Sequence, residues 1–164
     1  MKGTTQILVK DSHAGCITSK SFQSLEGSDI DYLTLDEANN SLEWARGKVV
    51  RTCLRHSFLE FTIKDIDNMT QFKLICDPIH QFMMSDRNYR TAGQLEIGDI
   101  LMSNSCSADG GFKVSESHCQ IRDINWIVFN AYPQRAYTIH CDKQDSNCVI
   151  YSNKELLICK LSKI

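Results

Sequence analysis

The amino-acid sequence predicts an all-β protein built from many short strands, and two patterns along the chain support that fold class. Apolar and polar residues alternate in short runs, as in residues 71–76 (QFKLIC), where every second side chain faces the same side of a strand. Turn-forming segments separate these runs at intervals typical of strands, at residues 26–29, 65–68 and 109–111. The sequence therefore favours a β-sheet with many long-range strand pairings.

Only two short segments, residues 35–45 and 91–97, show the helical period of 3.6 residues. Pro78 and Pro133 fall where a strand ladder must break, because proline has no backbone amide to donate. The polar stretch 104–117 is the most loop-like part of the chain. The predicted strands, in chain order, are residues 6–10, 30–35, 48–54, 58–63, 71–76, 100–103, 121–129, 135–141, 148–151 and 156–159.

Length and composition predict one soluble domain spanning residues 1–164. A chain of 164 residues, of which 42% are hydrophobic and 23% charged, can bury a core of its own. The net charge is −2 and both signs are spread along the chain, which argues against a nucleic-acid partner. The first apolar run, residues 7–9, is too short for a signal peptide or a membrane span. We expect a cytoplasmic monomer without membrane or nucleic-acid partners.

The eight cysteines predict buried, reduced thiols rather than a disulfide framework or a metal site. The closest pair, Cys141 and Cys148, is seven residues apart, so the chain has no CxxC motif. A domain of this size does not need disulfides, and free cysteine behaves as a small apolar residue. A zinc site built from residues 118–119 and 140–141, each a His-Cys pair, is the alternative.

The candidate catalytic corner is the segment Asp77-Pro78-Ile79-His80 at the end of a predicted strand. Histidine titrates near neutral pH and is a frequent general acid or base, while Asp77 could orient the ring or raise its proton affinity. An Asp-Pro step is also a common turn opener, and a histidine after a strand is often only a polar turn residue. Both interpretations stay open on this segment alone.

The order of three segments adds a second kind of signal. The first is KGTTQILV at residues 2–9, the second contains DPIH at 77–80, and the third, residues 135–159, contains YTI at 137–139 and NKELLIC at 153–159. In this order, the segments resemble the sequence blocks of the Hint superfamily, which comprises inteins, bacterial intein-like domains and hedgehog autoprocessing domains. The glycine and strand near the start look like those that follow the superfamily's N-terminal nucleophile.

The later blocks are compared residue by residue, and they match at some positions and depart at others. The second block is usually Thr-x-x-His, so His80 fits and Asp77 takes the threonine position. Leu95 and the Gly98-Asp99 turn look like the end of that block, and we expect Asp99 to cap backbone amides. Thr138 stands where many members have aspartate, and residues 153–159 resemble the final strand that reaches the C-terminal junction.

The resemblance implies the Hint fold, a flattened, pseudo-two-fold all-β horseshoe whose termini lie close together. It also implies a single-turnover self-processing activity, in which the first side chain attacks the preceding carbonyl and turns the amide into a thioester or ester. His80 would donate a proton to the departing nitrogen, with Asp77 beside it. The resemblance implies no cofactor and no metal. The implied partners are the polypeptides fused to the domain (exteins), among which ubiquitin-like chains are one class of host.

The sequence departs from the superfamily where the chemistry would occur. Met1 stands where a Cys or Ser nucleophile is expected, and Ile158-Cys159-Lys160 stands where splicing members have His-Asn. We therefore expect the chain as written to be inactive, either because the nucleophile was replaced to trap the domain or because a natural member lost activity. The end of the last strand favours cleavage or an altered C-terminal branch over standard splicing. Cys159 is more typical of a core thiol than of a junction nucleophile.

The alternative function belongs to a different class. A catalytically silent β-domain, used as a binding or structural module, would also have this strand pattern and would carry Met1 without loss. Release of a polypeptide fused before residue 1 separates the two hypotheses.

Overall fold

The computed structural model describes residues 1–11, 13–107, 113–142 and 146–161, and the all-β prediction is confirmed. Helical structure within these ranges is limited to two 3-10 turns, Gln23–Leu25 and Ala92–Gln94. The strands of the described residues are β1 (Gln6–Lys10), β2 (Ile17–Ser21), β3 (Asp29–Asp36), β4 (Ser41–Arg55), β5 (Ser57–Asp65), β6 (Gln71–Cys76), β7 (Gln81–Met83), β8 (Tyr89–Thr91), β9 (Ile100–Ser107), β10 (Lys113–Val128), β11 (Gln134–His140), β12 (Asn147–Ser152) and β13 (Glu155–Lys160).

The strands form one curled antiparallel sheet in the order β11-β4-β3-β1-β12-β13-β9-β10-β5-β6. Strand β4 pairs first with β3 and then with β11, and β10 pairs first with β9 and then with β5. Because two long strands each change partner in this way, the sheet has the predicted pseudo-two-fold horseshoe form. The β12–β13 hairpin lies in the middle of the order.

The central hairpin is buried on both faces. Its two-residue loop, Asn153-Lys154, has positive φ angles of 47° and 67°, as expected for a hairpin turn whose twist matches the strands. Leu157 and Cys159 point into the larger core cluster, whereas Leu156 and Ile158 point into the smaller one. Burial on two faces explains why β13 contains a continuous apolar run and does not alternate between apolar and polar residues.

The segment 35–45, one of the two with a helical period, is a hairpin. Leu35 lies directly opposite Leu42, and Leu33 lies opposite Trp44, in neighbouring strands β3 and β4. The seven-residue spacing of Leu35 and Leu42 therefore comes from cross-strand pairing and not from two helical turns. The second segment, 91–97, forms only the short 3-10 turn at Ala92–Gln94 before Leu95 returns to extended backbone.

The predicted loop at 104–117 is wrong at both ends, because β9 continues to Ser107 and β10 begins at Lys113. The predicted turn at 109–111 lies outside the described residues. Here polar residues form strands because their side chains bond inside the sheet. Ser105 and Ser117 donate hydrogen bonds of 2.9 and 2.8 Å to the two carboxyl oxygens of Glu155.

Glu155 is the centre of a buried polar cluster that joins β13 to β9, β10 and the end of β5. The buried side chain of Asp65 lies beside it. Burial, followed by the neighbouring Asp65, raises the pKa of Glu155 to about 7. Glu155 is therefore largely protonated below neutral pH and can donate to Asp65.

Three short strands were not predicted. β7 and β8 have only three residues each, and β2 is mostly exposed, so none of them has the alternation that identifies a strand in sequence. By contrast, the Gly98-Asp99 turn is as predicted, since the Asp99 carboxylate accepts a hydrogen bond from the Glu96 amide at 2.9 Å. Within the described ranges, no helix has the length and apolar character needed to cross a membrane.

Candidate functional site

The first residue is buried in the larger core cluster and lies beside strand β11. Met1 is 4% exposed, and its amine donates a hydrogen bond to the Tyr137 carbonyl oxygen at 2.8 Å. The Tyr137 amide donates back to the Met1 carbonyl oxygen at 2.8 Å, and Lys2 pairs with Ala136. The residue-1 nitrogen is thus fixed by strand β11, which is the tyrosine-led strand singled out in the sequence.

Gly3 is required by this docking. A Cβ atom at residue 3 would lie 2.9 Å from the ring of Tyr137 and 3.1 Å from the Cβ of Gln23. The 2.9 Å contact is shorter than real Cβ atoms adopt, so any larger residue would push the Tyr137 ring away. The glycine after the first residue therefore lets the start of the chain approach β11 closely.

His80 lies at the end of the turn that follows β6. Its amide donates to the Asp77 carbonyl oxygen at 3.0 Å, and its own carbonyl accepts from the Ala92 amide at 2.7 Å. The Pro78 carbonyl accepts from the Gly93 amide at 2.8 Å, so the turn is held against the 3-10 turn at Ala92–Gln94. The backbone around His80 is therefore fixed on both sides.

The ring of His80 is buried and has no polar partner at Nε2 among the described residues. It packs edge to face on Phe82, with 5.1 Å between the ring centroids. Burial lowers the pKa of His80 well below its usual value, and the positive charge of the Met1 amine lowers it further. The imidazole is therefore neutral at pH 7, and it lies within electrostatic range of the residue-1 nitrogen.

Asp77 is buried, and both of its carboxylate oxygens are bonded away from the His80 ring. Oδ2 forms an ion pair with Nε of Arg55 at 2.6 Å, and Oδ1 accepts the Ile79 amide at 3.2 Å. Asp77 contacts His80 through the backbone of the turn, where the Asp77 carbonyl oxygen accepts the His80 amide. Its charge nevertheless acts on the Met1 amine: burial lowers the pKa of that amine, and the charge of Asp77 raises it in part.

Cys159 lies under the first residue. Its Sγ is 3.9 Å from Sδ of Met1 and 3.6 Å from Sγ of Cys148. Burial, followed by the neighbouring Cys148, raises the pKa of the Cys159 thiol well above its usual value. The group is therefore a protonated thiol in the core at neutral pH.

Thr138 and Arg55 are the site residues to which the sequence alone assigned no role. The hydroxyl of Thr138 is buried and has no partner among the described residues, and Thr138 follows directly after the residue that binds Met1. No local sequence pattern points to Arg55, because it is 22 residues from Asp77 in the sequence. The two residues come together through the strand pairing of β4.

The proposed zinc site does not assemble from the residues that the structure describes. His118 lies at the surface, where Nδ1 contacts the Asp67 carboxylate at 2.7 Å, while Cys119 points into the core. No three metal-ligating side chains among the described residues come together.

Comparisons with known proteins find no matching family model and no matching curated protein. Solved structures do match over nearly the full length. A mutant of the Ssp DnaB mini-intein is 16% identical, with a TM-score of 0.68, and the match covers 99% of this chain and 98% of that chain. The transcription factor IIB Mvu mini-intein is 14% identical, with a TM-score of 0.65, and the match covers 95% and 97% of the two chains.

A bacterial intein-like domain from Clostridium thermocellum is also similar. It is 16% identical with a TM-score of 0.54, and the match covers 96% of this chain and 98% of that chain. Identities this low establish the fold and not the chemistry. The chain has the Hint fold, the fold of inteins and bacterial intein-like domains.

Proposed function

We propose that this domain rearranges the peptide bond that would precede residue 1, and that His80 is the proton carrier of the reaction. The observation that carries the proposal is the buried, unpartnered Nε2 of His80 within electrostatic range of a residue-1 nitrogen that Tyr137 binds. A buried polar atom without a partner is costly, and such groups are frequent at functional sites. In a fused chain the residue-1 nitrogen belongs to a peptide bond. The free amine of Met1 in this structure corresponds to that nitrogen after the bond has broken.

The chemistry is an acyl shift from nitrogen to sulfur or oxygen. A cysteine or serine at residue 1 attacks the preceding carbonyl carbon, so that a carbon–sulfur or carbon–oxygen bond forms and the carbon–nitrogen bond breaks. The proton of the nucleophile ends on the departing nitrogen, and no water is consumed. The thioether of Met1 has no proton to lose and cannot perform this step. The chain as written therefore lacks the nucleophile.

The neutral imidazole of His80 suits this proton transfer. It can accept the proton of the nucleophile and pass it to the nitrogen, which makes an otherwise poor leaving group able to depart. Because burial lowers its pKa, the protonated ring is a strong acid and gives the proton up readily. Tyr137 orients the nitrogen through its carbonyl oxygen.

The C-terminal step differs from standard splicing in this proposal. The last strand has Ile158-Cys159-Lys160 and no cyclising asparagine at this position, which favours cleavage or an altered branch. The side chain of Cys159 packs against the side chain of residue 1. The partners of the domain are the polypeptides fused to it, of which ubiquitin-like chains are one candidate class.

The test replaces Met1→Cys and fuses a reporter protein in front of residue 1. We expect release of the reporter on addition of a thiol reagent, which intercepts the thioester. His80→Ala should slow this release by about two to four powers of ten, the usual contribution of a positioned acid–base group. His118→Ala is the matched control, because His118 lies at the surface in an ion pair with Asp67, and it should release at the parent rate. Equal rates for the His80 variant and its parent would exclude His80 from the mechanism.

The second candidate function is a silent binding or structural module, and the packing of Met1 favours it. The Met1 side chain fits the core, with its sulfur against that of Cys159. A folded Met1→Cys fusion that releases no reporter would support this function and reject the acyl shift.

A further inference from the structure

We propose that Arg55 is a positioning residue for the chemistry at residue 1. Through its ion pair with Asp77, Arg55 holds the turn that carries His80 against the strand that binds the residue-1 nitrogen. The inference rests on the proposed function and names a further group of the same site.

Arg55 connects two parts of the sheet that each supply one half of the site. It is the last residue of β4, opposite Gln134 of β11, and β11 also carries Tyr137, which binds Met1. Asp77 follows β6 and begins the turn that ends in His80. The contact of 2.6 Å between Nε of Arg55 and Oδ2 of Asp77 therefore ties the turn of the proton carrier to the strand of the leaving nitrogen.

Asp77 is the polar anchor of that turn. Its Oδ1 accepts the Ile79 amide at 3.2 Å, and its carbonyl oxygen accepts the His80 amide at 3.0 Å. The ring of His80 has no polar partner at Nε2 among the residues described. Its orientation thus depends on packing against Phe82 and on the backbone that Asp77 holds.

The ion pair also sets the charge near the reacting atoms. The Asp77 side chain is 8% exposed and that of Arg55 is 35% exposed, so the cation neutralises a buried carboxylate from the solvent side. The Asp77 charge raises the pKa of the residue-1 amine. Burial keeps the thiols of Cys76 and Cys159 protonated. The titratable or charged groups around the nitrogen and the ring are Arg55, Asp77, the Met1 amine, Cys76, Cys148 and Cys159.

Release rates in the Met1→Cys reporter fusion test the proposal. Arg55→Ala should slow thiol-dependent release by about 10²-fold, the effect of misplacing a reacting group by about 1 Å. Arg55→Lys keeps the charge and should recover part of this loss. Arg46→Ala is the matched control, because Arg46 lies on the same strand and pairs with the aspartate Asp31 at 3.3 Å, and it should release at the parent rate. A parent rate for Arg55→Ala would overturn the proposal.

The double variant shows whether Arg55 acts through Asp77. Arg55→Ala in the Asp77→Asn background removes no ion pair, so the double variant should release within about twofold of Asp77→Asn alone. A further large loss in the double variant would overturn the proposal. If Arg55→Ala does not fold because Asp77 is left unpaired, Asp77→Asn removes the same ion pair without burying an unpaired carboxylate, and a parent release rate for it would overturn the proposal.

The pH profile separates positioning from a merely structural role. Without Arg55 the unopposed negative charge of Asp77 favours protonated His80, so the acid limb of the rate profile should move to higher pH. Asp77→Asn removes the charge and should move the limb to lower pH. Unshifted limbs in both variants would overturn the proposal, because loss of folded protein alone changes the amplitude and not the midpoint.

An NMR titration of His80 in the unfused Met1 protein gives a readout that does not require release. Arg55→Ala should raise the pKa of His80 above that of the parent, and Arg46→Ala should leave it unchanged. An unchanged His80 titration in Arg55→Ala overturns the role of Arg55. Absence of release from the Met1→Cys parent instead overturns the proposed function, so the two failures are distinguishable.

Discussion

Met1 and Tyr137 exchange both of their backbone hydrogen bonds, each with a donor–acceptor distance of 2.8 Å. Residues 1–2 thus lie antiparallel beside β11, with Met1 opposite Tyr137 and Lys2 opposite Ala136. The nitrogen that an acyl shift would release is therefore held by main-chain atoms, whose geometry does not depend on the side chain at residue 1. A nucleophile can accordingly replace Met1 without changing how this nitrogen is bound.

Gly3→Ala should impair the site more than its small size suggests. The new Cβ would lie 2.9 Å from the Tyr137 ring, so Tyr137 must move, and with it the carbonyl that binds residue 1. Overpacking should lower the free energy of unfolding by about 1–3 kcal/mol, as measured by urea titration. In the Met1→Cys fusion we expect release at least about tenfold slower, since small misplacements of reacting groups are costly.

Gly93→Ala is the stability control for that variant. A Cβ at residue 93 would meet its nearest neighbour, the Pro78 carbonyl oxygen, at 3.4 Å, which is ordinary contact. Its urea midpoint should stay close to that of the parent. The same midpoint for Gly3→Ala would contradict close packing of Tyr137 on residue 3.

His80 should make folding stability fall as the medium becomes acidic. Its pKa is lowered in the folded state, so between that value and its usual 6.5 the unfolded chain binds more protons. Stability is therefore fully present above pH 6.5 and decreases below it, by at most about 1.4 kcal/mol per pH unit. Urea titrations at pH 5 and 7 measure the net slope, and His80→Gln should remove the His80 contribution, so that stability increases less from pH 5 to pH 7 in the variant than in the parent. An equal slope in the variant would mean that the His80 ring is hydrated in the folded protein.

Glu155 should produce the opposite trend over much of the same range. Its pKa is raised to about 7, so the folded protein prefers the protonated acid and loses stability as pH rises from about 4.5 to 7. The total change is on the order of 3 kcal/mol at most. Glu155→Gln keeps the shape, removes the titration and should abolish this decrease. The exposed Glu116 supplies the control, since Glu116→Gln should retain the parent profile.

Asn147→Ala should destabilise the fold without touching the site. Asn147 Oδ1 accepts the Leu35 amide at 2.7 Å and the Thr34 hydroxyl at 2.9 Å, and Nδ2 donates to the Leu35 carbonyl at 2.9 Å. Removing the amide leaves buried backbone groups of β3 without partners, at a cost of about 3 kcal/mol. Urea titration checks this loss. Asn125→Ala, at an exposed position, should change stability by less than about 0.5 kcal/mol.

Sequence predicted strands best where alternation and flanking turns agreed. The boundaries of β1 and β6 match residues 6–10 and 71–76 as predicted, because β1 is a short buried run between exposed ends and β6 has one buried face. The long strands β4 and β10 were predicted too short. Each changes partner halfway, so no single face stays buried along its length and the period-two signal fades.

The composition of the site was only partly predictable. His80 and Asp77 drew attention through their order in the chain, but the ion pair of Asp77 with Arg55 depends on a strand register that no local pattern encodes. Thr138 could be named from its place after Tyr137, whereas its unpartnered hydroxyl follows only from the packing around it. A role that depends on contacts between residues far apart in the sequence is visible only in the folded structure.

The place of β1 in the sheet determines when such a site can exist during synthesis. Gln6 lies opposite Tyr151, and residue 1 is bound by Tyr137, so the start of the chain completes its pairings only after almost all of the domain has left the ribosome. Contacts between residues so far apart in sequence form late and slowly. A nucleophile at residue 1 would therefore remain unreactive on the nascent chain. The acyl shift would begin only once translation of the domain is nearly complete.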